Sequence, residues 1–298
     1  MDPAEIPTMP GPADIDGWKA ISDLWERPYL DEYEQVIRQF EVSVATSVLG
    51  GVSALEITPK GWRETGKVLV YTHGGGYTMG CARSNMASSA LVAARTGLRV
   101  ISIDYTNAPR ARWQEITGEV IMVLSALVLK GFAMKDIALF GDSAGGGLAA
   151  GAVLKMRDAG LDMPAALVLW SPWADITETG DTYVTLRDAE STYLYETVLG
   201  PSAAAYADPK DQKNPYVSPV YGDFTKGFPP TLIQGGIREI FLSNFVRLYQ
   251  ALDMAGQVVK LDIYEGMPHD FQVKLPQSPE SITALNKMKA FLVKCLGS

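Results

Sequence analysis

Apolar and polar positions change period several times along the chain, and each change marks an element. After an irregular, Pro-rich start over residues 1–13, Trp18, Ile21 and Trp25 recur at i, i+3 and i+7. Residues 29–40 repeat that spacing less cleanly, so two short amphipathic helices are expected. Residues 40–48 and 52–58 alternate apolar and polar around Gly50-Gly51, the pattern of an antiparallel hairpin. Val68-Leu69-Val70-Tyr71, residues 100–105, residues 136–140 and Ala166-Leu167-Val168-Leu169-Trp170 are short apolar runs of the kind buried on both faces of a sheet. Helical patterns separate them at residues 85–96, 116–129 and from Gly147 onward. Strands alternating with helices in this way predict an α/β fold with a mostly parallel central sheet flanked by helices.

The rhythm breaks between residues 174 and 228, a stretch rich in Tyr, Asp, Pro and Thr. So long a segment without a strand reads as an insertion rather than a connection, with short helices at 191–200 and 202–207. Its tyrosines either line a pocket or pack onto the sheet. Alternation then resumes with a strand at 231–234, a helix over about 240–255, a strand at 258–264, a loop at 265–271 and a final helix over 279–296.

Composition narrows the function. The chain has 298 residues, a formal net charge of -8 and a pI near 4.9, which argues against nucleic acid or an anionic membrane as partner. No run approaches the roughly 18 apolar residues of a membrane span. Residues 1–7 carry two acids and two prolines and no basic or apolar region of a secretory signal, so a cytoplasmic location is expected. Cys81 and Cys295 form neither a disulfide framework nor a metal spacing. With two histidines, His73 and His269, a His-rich zinc site is nearly excluded, and any His-dependent catalysis uses one of them. No metal or cofactor is expected.

The chemistry centres on Gly141-Asp142-Ser143-Ala144-Gly145-Gly146, between an apolar strand and a small-residue helix. Strand, Gly-x-Ser-x-Gly and helix is the context of a nucleophile elbow, in which Ser143 projects from a strained turn. A serine hydroxyl needs a general base, usually a histidine oriented by a carboxylate. His269 follows the last predicted strand and fits the base. In the order Ser, acid, His, the acid follows the preceding strand, and Glu239 fits. Glu265 is the alternative, but it shares the loop of His269; Asp262 lies within a strand and points at a sheet face. His73 opens His73-Gly74-Gly75-Gly76 directly after a strand, and the backbone N–H groups of those glycines can converge with that of Ala144 on an oxyanion. His73 itself is read as an anchor for the loop.

These motifs resemble those of the hormone-sensitive-lipase-like (bacterial family IV) esterases of the α/β-hydrolase fold, and the resemblance covers nearly the whole chain. It implies a cap over the site, formed by residues 1 to about 40 and about 175 to 225. It implies oxyanion donors at Gly75, Gly76 and Ala144, with Gly74 secondary. Tyr77, Trp173, Tyr193, Tyr195 and Leu199 are candidates for lining the pocket. Three departures stand out: Glu239 where the family usually has Asp, Asp104-Tyr105-Thr106-Asn107-Ala108-Pro109-Arg110 for its Asp-Tyr-Arg-Leu-Ala-Pro-Glu stretch, and Asp270 after the histidine where Gly is frequent. The second puts support of the local loop in question. The third places a negative charge beside the base, which is expected to raise the pKa of His269.

The expected activity is that of a serine carboxylesterase acting on a small-molecule ester with a short acyl chain, or on a lactone. Acyl transfer and amide cleavage share the same machinery and are not separated from it by sequence. A receptor on this fold that has lost the histidine is disfavoured by His269, and a lipase by the absence of a lid-like apolar segment. A homo-oligomer is compatible with the sequence.

Overall fold

The computed structural model describes residues 8–190 and 193–297. The strands are β1 (Val42–Leu49), β2 (Val52–Pro59), β3 (Val68–Thr72), β4 (Arg99–Ile103), β5 (Ile137–Asp142), β6 (Ala166–Trp170), β7 (Thr231–Arg238) and β8 (Val259–Pro268). They form one sheet in the order β1-β2-β4-β3-β5-β6-β7-β8. The β1–β2 hairpin turns at Gly50-Gly51 and joins β4 antiparallel; every pairing from β4 to β8 is parallel.

The helices are α1 (Ile15–Asp31), α2 (Tyr33–Phe40), α3 (Met86–Thr96), α4 (Trp113–Leu129), α5 (Ala144–Asp158), α6 (Thr182–Thr185), α7 (Gly200–Tyr206), α8 (Leu242–Met254), α9 (Phe271–Lys274) and α10 (Pro279–Leu296). Side chains of each central strand point alternately to the two faces. Val68, Val70, Ile137, Leu139, Leu167 and Leu169 join the core under α4, α5 and α8. Leu69, Tyr71, Ala138, Phe140, Val168 and Trp170 join the core under α2, α3 and α10. Both faces are covered, which is why these strands read as unbroken apolar runs rather than alternating ones.

Four elements differ from the sequence reading. The expected stripe of α1 was Trp18, Ile21 and Trp25, but the residues it buries are Trp18, Ser22 and Glu26, four apart. The surface beneath is the polar backbone after the Gly-rich loop, where Gly80 N–H donates to Ser22 Oγ (3.3 Å) and the Cys81 thiol to Glu26 Oε2 (2.9 Å). Polarity of the partner surface, not hydrophobicity, sets the rotation of the helix. Strands β7 and β8 each run four residues beyond the expected ends, so β8 reaches Pro268 and most of the expected loop is strand. In the insertion, the first two residues of the helix expected at 191–200 lie outside the described residues. A five-residue π-helical turn at Tyr195–Leu199 follows and runs directly into α7. Residues 1–7 of the irregular start also lie outside the described residues.

Phe140 shows how tightly the central layer is packed: it is fully buried, stacked on Tyr71 (4.5 Å between centroids) and tilted against Trp170 (5.9 Å). Phe140→Ala is expected to destabilise the protein by about 3–5 kcal/mol. Urea unfolding of both proteins at equal concentration measures it, and a difference below about 1 kcal/mol would contradict the packing described.

Candidate active site

Each candidate residue leaves the sheet at the carboxyl end of a parallel strand, the edge where open α/β sheets carry their sites. The Gly-rich loop follows β3, Ser143 follows β5, Glu239 follows β7 and His269 follows β8. Ser143 has φ 53° and ψ -124°, a strained conformation for a non-glycine residue. It is held by Ser143 N–H donating to Trp170 O (2.9 Å) and by Trp173 N–H donating to Ser143 O (2.8 Å). The helix α5 begins at the next residue, so its positive end faces the serine.

The turn closes on β3. A Cβ on Gly145 would lie 2.0 Å from Thr72 O, and no larger residue fits there. In the loop above, Gly75 has φ +109°, and a Cβ on it would lie 2.1 Å from Met79 O. Among the described residues the N–H groups of Gly75, Gly76 and Ala144 donate to no protein acceptor, whereas Gly75 O accepts from Thr78 and Met79 N–H. Donors without acceptors beside a strained serine form an anion-binding arrangement.

His73 anchors this loop. Its ring is buried and stacks on Tyr105 (4.1 Å, 12°), its Nδ1 lies 2.7 Å from Gly74 O, and Tyr105 Oη donates to His73 O (2.8 Å). Burial lowers its pKa, so the ring is a neutral one. The divergent stretch after β4 supports the loop in full: Asn107 Nδ2 donates to Gly80 O (2.7 Å), Ala108 N–H to Tyr77 O (2.8 Å), and Ala82 N–H to Asp104 Oδ1 (3.0 Å). These contacts use backbone groups and the side chains of Asp104 and Asn107.

Glu239 sits in the turn between β7 and α8. Its Oε2 lies 2.8 Å from His269 Nδ1, and its Oε1 accepts from Gly236 N–H (2.7 Å) and Ser171 Oγ (3.0 Å). Both residues are buried, Glu239 at 0% exposure and His269 at 1%. Glu265 is exposed on β8, and Asp262 pairs with Lys287 and Tyr264 at the sheet, so neither approaches His269. Burial raises the pKa of the Glu239 carboxyl, opposed by the His269 ring. Burial would lower the pKa of His269, but the carboxylates of Asp270 and Glu239 outweigh it and the pKa is raised. Asp142, bonded to Tyr71 Oη, is pushed up to about 7 by burial and by the charge of Asp270.

Of the other candidates, Tyr193 stands edge-on to His269 (5.8 Å) and Trp173 packs between Tyr77 (5.7 Å) and Phe241 (5.8 Å). Tyr77 is fully buried, stacked on Tyr206 (3.8 Å), with its Oη against Gly147 of α5. Tyr195 donates to Ile176 O (3.0 Å), and Leu199 lies in the apolar core, so these two pack on protein rather than on the reacting groups. Sequence reasoning missed Ser171 and Phe241. Ser171 links Glu239 to Asp270, whose N–H it accepts (3.1 Å), and Phe241 meets the His269 ring edge-on (5.3 Å). The signal for Ser171 was its place directly after a buried strand, where the other site residues also lie.

With the geometry described, comparison with known proteins is specific. A family model for the alpha/beta hydrolase fold matches residues 69–273. An acetyl-hydrolase of Streptomyces hygroscopicus is 34% identical over 79% of this chain and 78% of its own. The crystal structure of esterase E25 superimposes with a TM-score of 0.89 at 31% identity, covering 98% of this chain and 92% of that one. That of an esterase from the bacterial hormone-sensitive lipase family gives 0.81 at 30% identity, covering 91% and 99%. The chain belongs to the α/β-hydrolase family, within its hormone-sensitive-lipase-like group of bacterial esterases, and is a carboxylic ester hydrolase. Among the described residues no helix is long and apolar enough to cross a membrane.

The Gly-rich loop generates a direct test. A Cβ on Gly75 would clash with Met79 O, so Gly75→Ala is expected to displace the loop. It is expected to lower kcat on p-nitrophenyl acetate by about 10²-fold or more, the size of effect that loss of a backbone donor to an oxyanion has. Turnover within twofold of the parent would remove Gly75 from the site.

Proposed function

We propose that the protein hydrolyses short-chain acyl esters or lactones through an acyl-enzyme built on Ser143, His269 and Glu239. Ser143 Oγ attacks the ester carbonyl carbon and gives its proton to His269 Nε2. The N–H groups of Gly75, Gly76 and Ala144 hold the resulting oxyanion, a contribution of about 3–4 kcal/mol for each donor at its strongest. The tetrahedral carbon expels the alkoxide, which takes the proton from Nε2 and leaves as the alcohol. Water then repeats the sequence on the acyl-enzyme: His269 removes its proton, the carbon–Oγ bond breaks, and the acid and free serine are restored. Glu239 fixes the ring tautomer with the proton on Nδ1 and stabilises the imidazolium.

The observation that carries this reading is the 2.8 Å contact between His269 Nδ1 and Glu239 Oε2, with the other oxygen of Glu239 held by two donors. A carboxylate fixed at one nitrogen directs the other nitrogen of the ring to the chemistry. The short acyl preference is supported by Tyr193 and Phe241, which crowd the base, by Trp173 stacked behind Phe241, and by Ser143 being 5% exposed. The α1 segment and the 175–225 insertion, which contact the Gly-rich loop and the base, serve as the cap.

Ser143→Ala is expected to retain the circular dichroism spectrum and lose hydrolysis of every member of a p-nitrophenyl series from acetate to palmitate. Glu239→Gln is expected to lower kcat by up to about 10⁴-fold at unchanged fold. Undiminished turnover by purified Ser143→Ala would refute the assignment. Turnover of amides or transfer to added alcohols in preference to water would redirect it to the acyl-transfer reading.

A further inference from the structure

Asp270 has a conformation and an environment that its place in the fold does not require. It stands at the N-cap position of α9, where aspartate ordinarily accepts a hydrogen bond from the first turn. Its side chain makes no such bond. Instead Asp270 Oδ2 lies 3.0 Å from His269 Nε2. Its other oxygen, Oδ1, is buried with no hydrogen-bond partner among the described residues, and the residue is 7% exposed. A buried carboxylate is costly unless paired, so the ring is what holds it. The backbone is committed to this placement: Asp270 has φ +52°, in the left-handed region, and its N–H donates to Ser171 Oγ, which in turn donates to Glu239.

Nε2 is the nitrogen that must receive the serine proton, yet among the described residues its polar contact is the ion pair with Asp270 Oδ2, without hydrogen-bond geometry, and it makes no hydrogen bond to Ser143 Oγ. We propose that Asp270 is a positioning residue that engages His269 Nε2 in the resting enzyme, so that Ser143 gains its base only when the ring loses its proton and that contact is given up. The proposal rests on the assignment of His269 as base. The ring then has a carboxylate at each nitrogen. That arrangement favours the imidazolium formed during acyl transfer and stabilises the same protonated form in the free enzyme.

The other ionisable groups around the ring come from five further segments. Glu239 lies after β7, Asp142 ends β5 and is bonded to Tyr71 of β3, and Tyr193 stands over the ring from the insertion, near Glu190 and Tyr29. Three carboxylates, Glu239, Asp270 and Asp142, thus interact with the ring, and Asp270 and Glu239 are the largest charges acting on it. The sign follows. A raised imidazole pKa leaves the neutral base present only at higher pH, so the acid limb of kcat/KM lies above the ordinary imidazole range, and removing the Asp270 charge moves it down.

The test is Asp270→Asn, which keeps size and tolerates the left-handed backbone, with Asp270→Gly as a second variant free of conformational cost there. Asp270→Glu serves as the charge-retaining control. The chain has two histidines, so the His269 ring is followed by NMR titration and assigned by its loss in His269→Gln. Both neutral variants are expected to lower the ring pKa and the acid limb of kcat/KM together by at least one unit, raising kcat/KM about tenfold at a pH below the parent limb. Asp270→Glu is expected to stay near the parent. A ring pKa that does not move in either neutral variant overturns the proposal. A ring that shifts while the acid limb stays in place overturns instead the role of His269 as base, and the proposal with it.

Discussion

The close approach of the end of β3 to the start of α5 is the constraint on which the site depends. A Cβ on Gly145 would sit 2.0 Å from Thr72 O and 2.5 Å from His73 O, and Thr72 Oγ1 donates to Gly145 O (2.8 Å). Strand, elbow and helix therefore touch through backbone, with no side chain between them. Two consequences follow. The Gly-rich loop after β3 is delivered to the N-terminal end of α5. Ser143 is also held in its strained turn from both sides, by Trp170 O and by Trp173 N–H. Such strain persists only where the surroundings over-determine it.

The second organising feature is charge. The candidate site contains His269 and the buried carboxyls of Glu239, Asp270 and Asp142, with Tyr71 bonded to the last. In a low-dielectric interior burial raises the pKa of the Glu239 and Asp142 carboxyls, while the neighbouring carboxylates raise that of the His269 ring. Burial and the Asp270 charge push the pKa of Asp142 up to about 7. The Cys81 thiol behind the Gly-rich loop is pushed up to about 11 by burial and its bond to Glu26, so it stays protonated and has little nucleophilic character.

Much of this was legible in the sequence because the signals are local. A buried parallel strand needs a continuous apolar run, and β3, β5 and β6 have one. An elbow needs glycine where backbones meet, and Gly141, Gly145 and Gly75 stand at such contacts. Glu239 and His269 could be placed because chain order and strand ends fix which loops face the site. What escaped was set by tertiary context. The buried stripe of α1 is Trp18, Ser22 and Glu26 because the loop beneath it is polar, a fact that no periodicity carries. The continuations, Gly235-Gly236-Ile237-Arg238 of β7 and Glu265-Gly266-Met267-Pro268 of β8, hold glycines and a proline that favour strand poorly. They are kept in the sheet by pairing of Gly235 with Ile263, Gly236 with Tyr264 and Arg238 with Pro268. Asp270 was visible as a charge beside the base, but not that its carboxylate would face Nε2.

The central claim is that Ser143 is a nucleophile activated by His269. The most direct measurement is stoichiometric sulfonylation by phenylmethylsulfonyl fluoride, with the modified residue located by peptide mass spectrometry and an ester present in a parallel sample as protectant. The account predicts one label per chain, on the peptide that contains Ser143, slowed by the ester and lost in His269→Gln. Labelling elsewhere, or at Ser143 with an undiminished rate in His269→Gln, would contradict it.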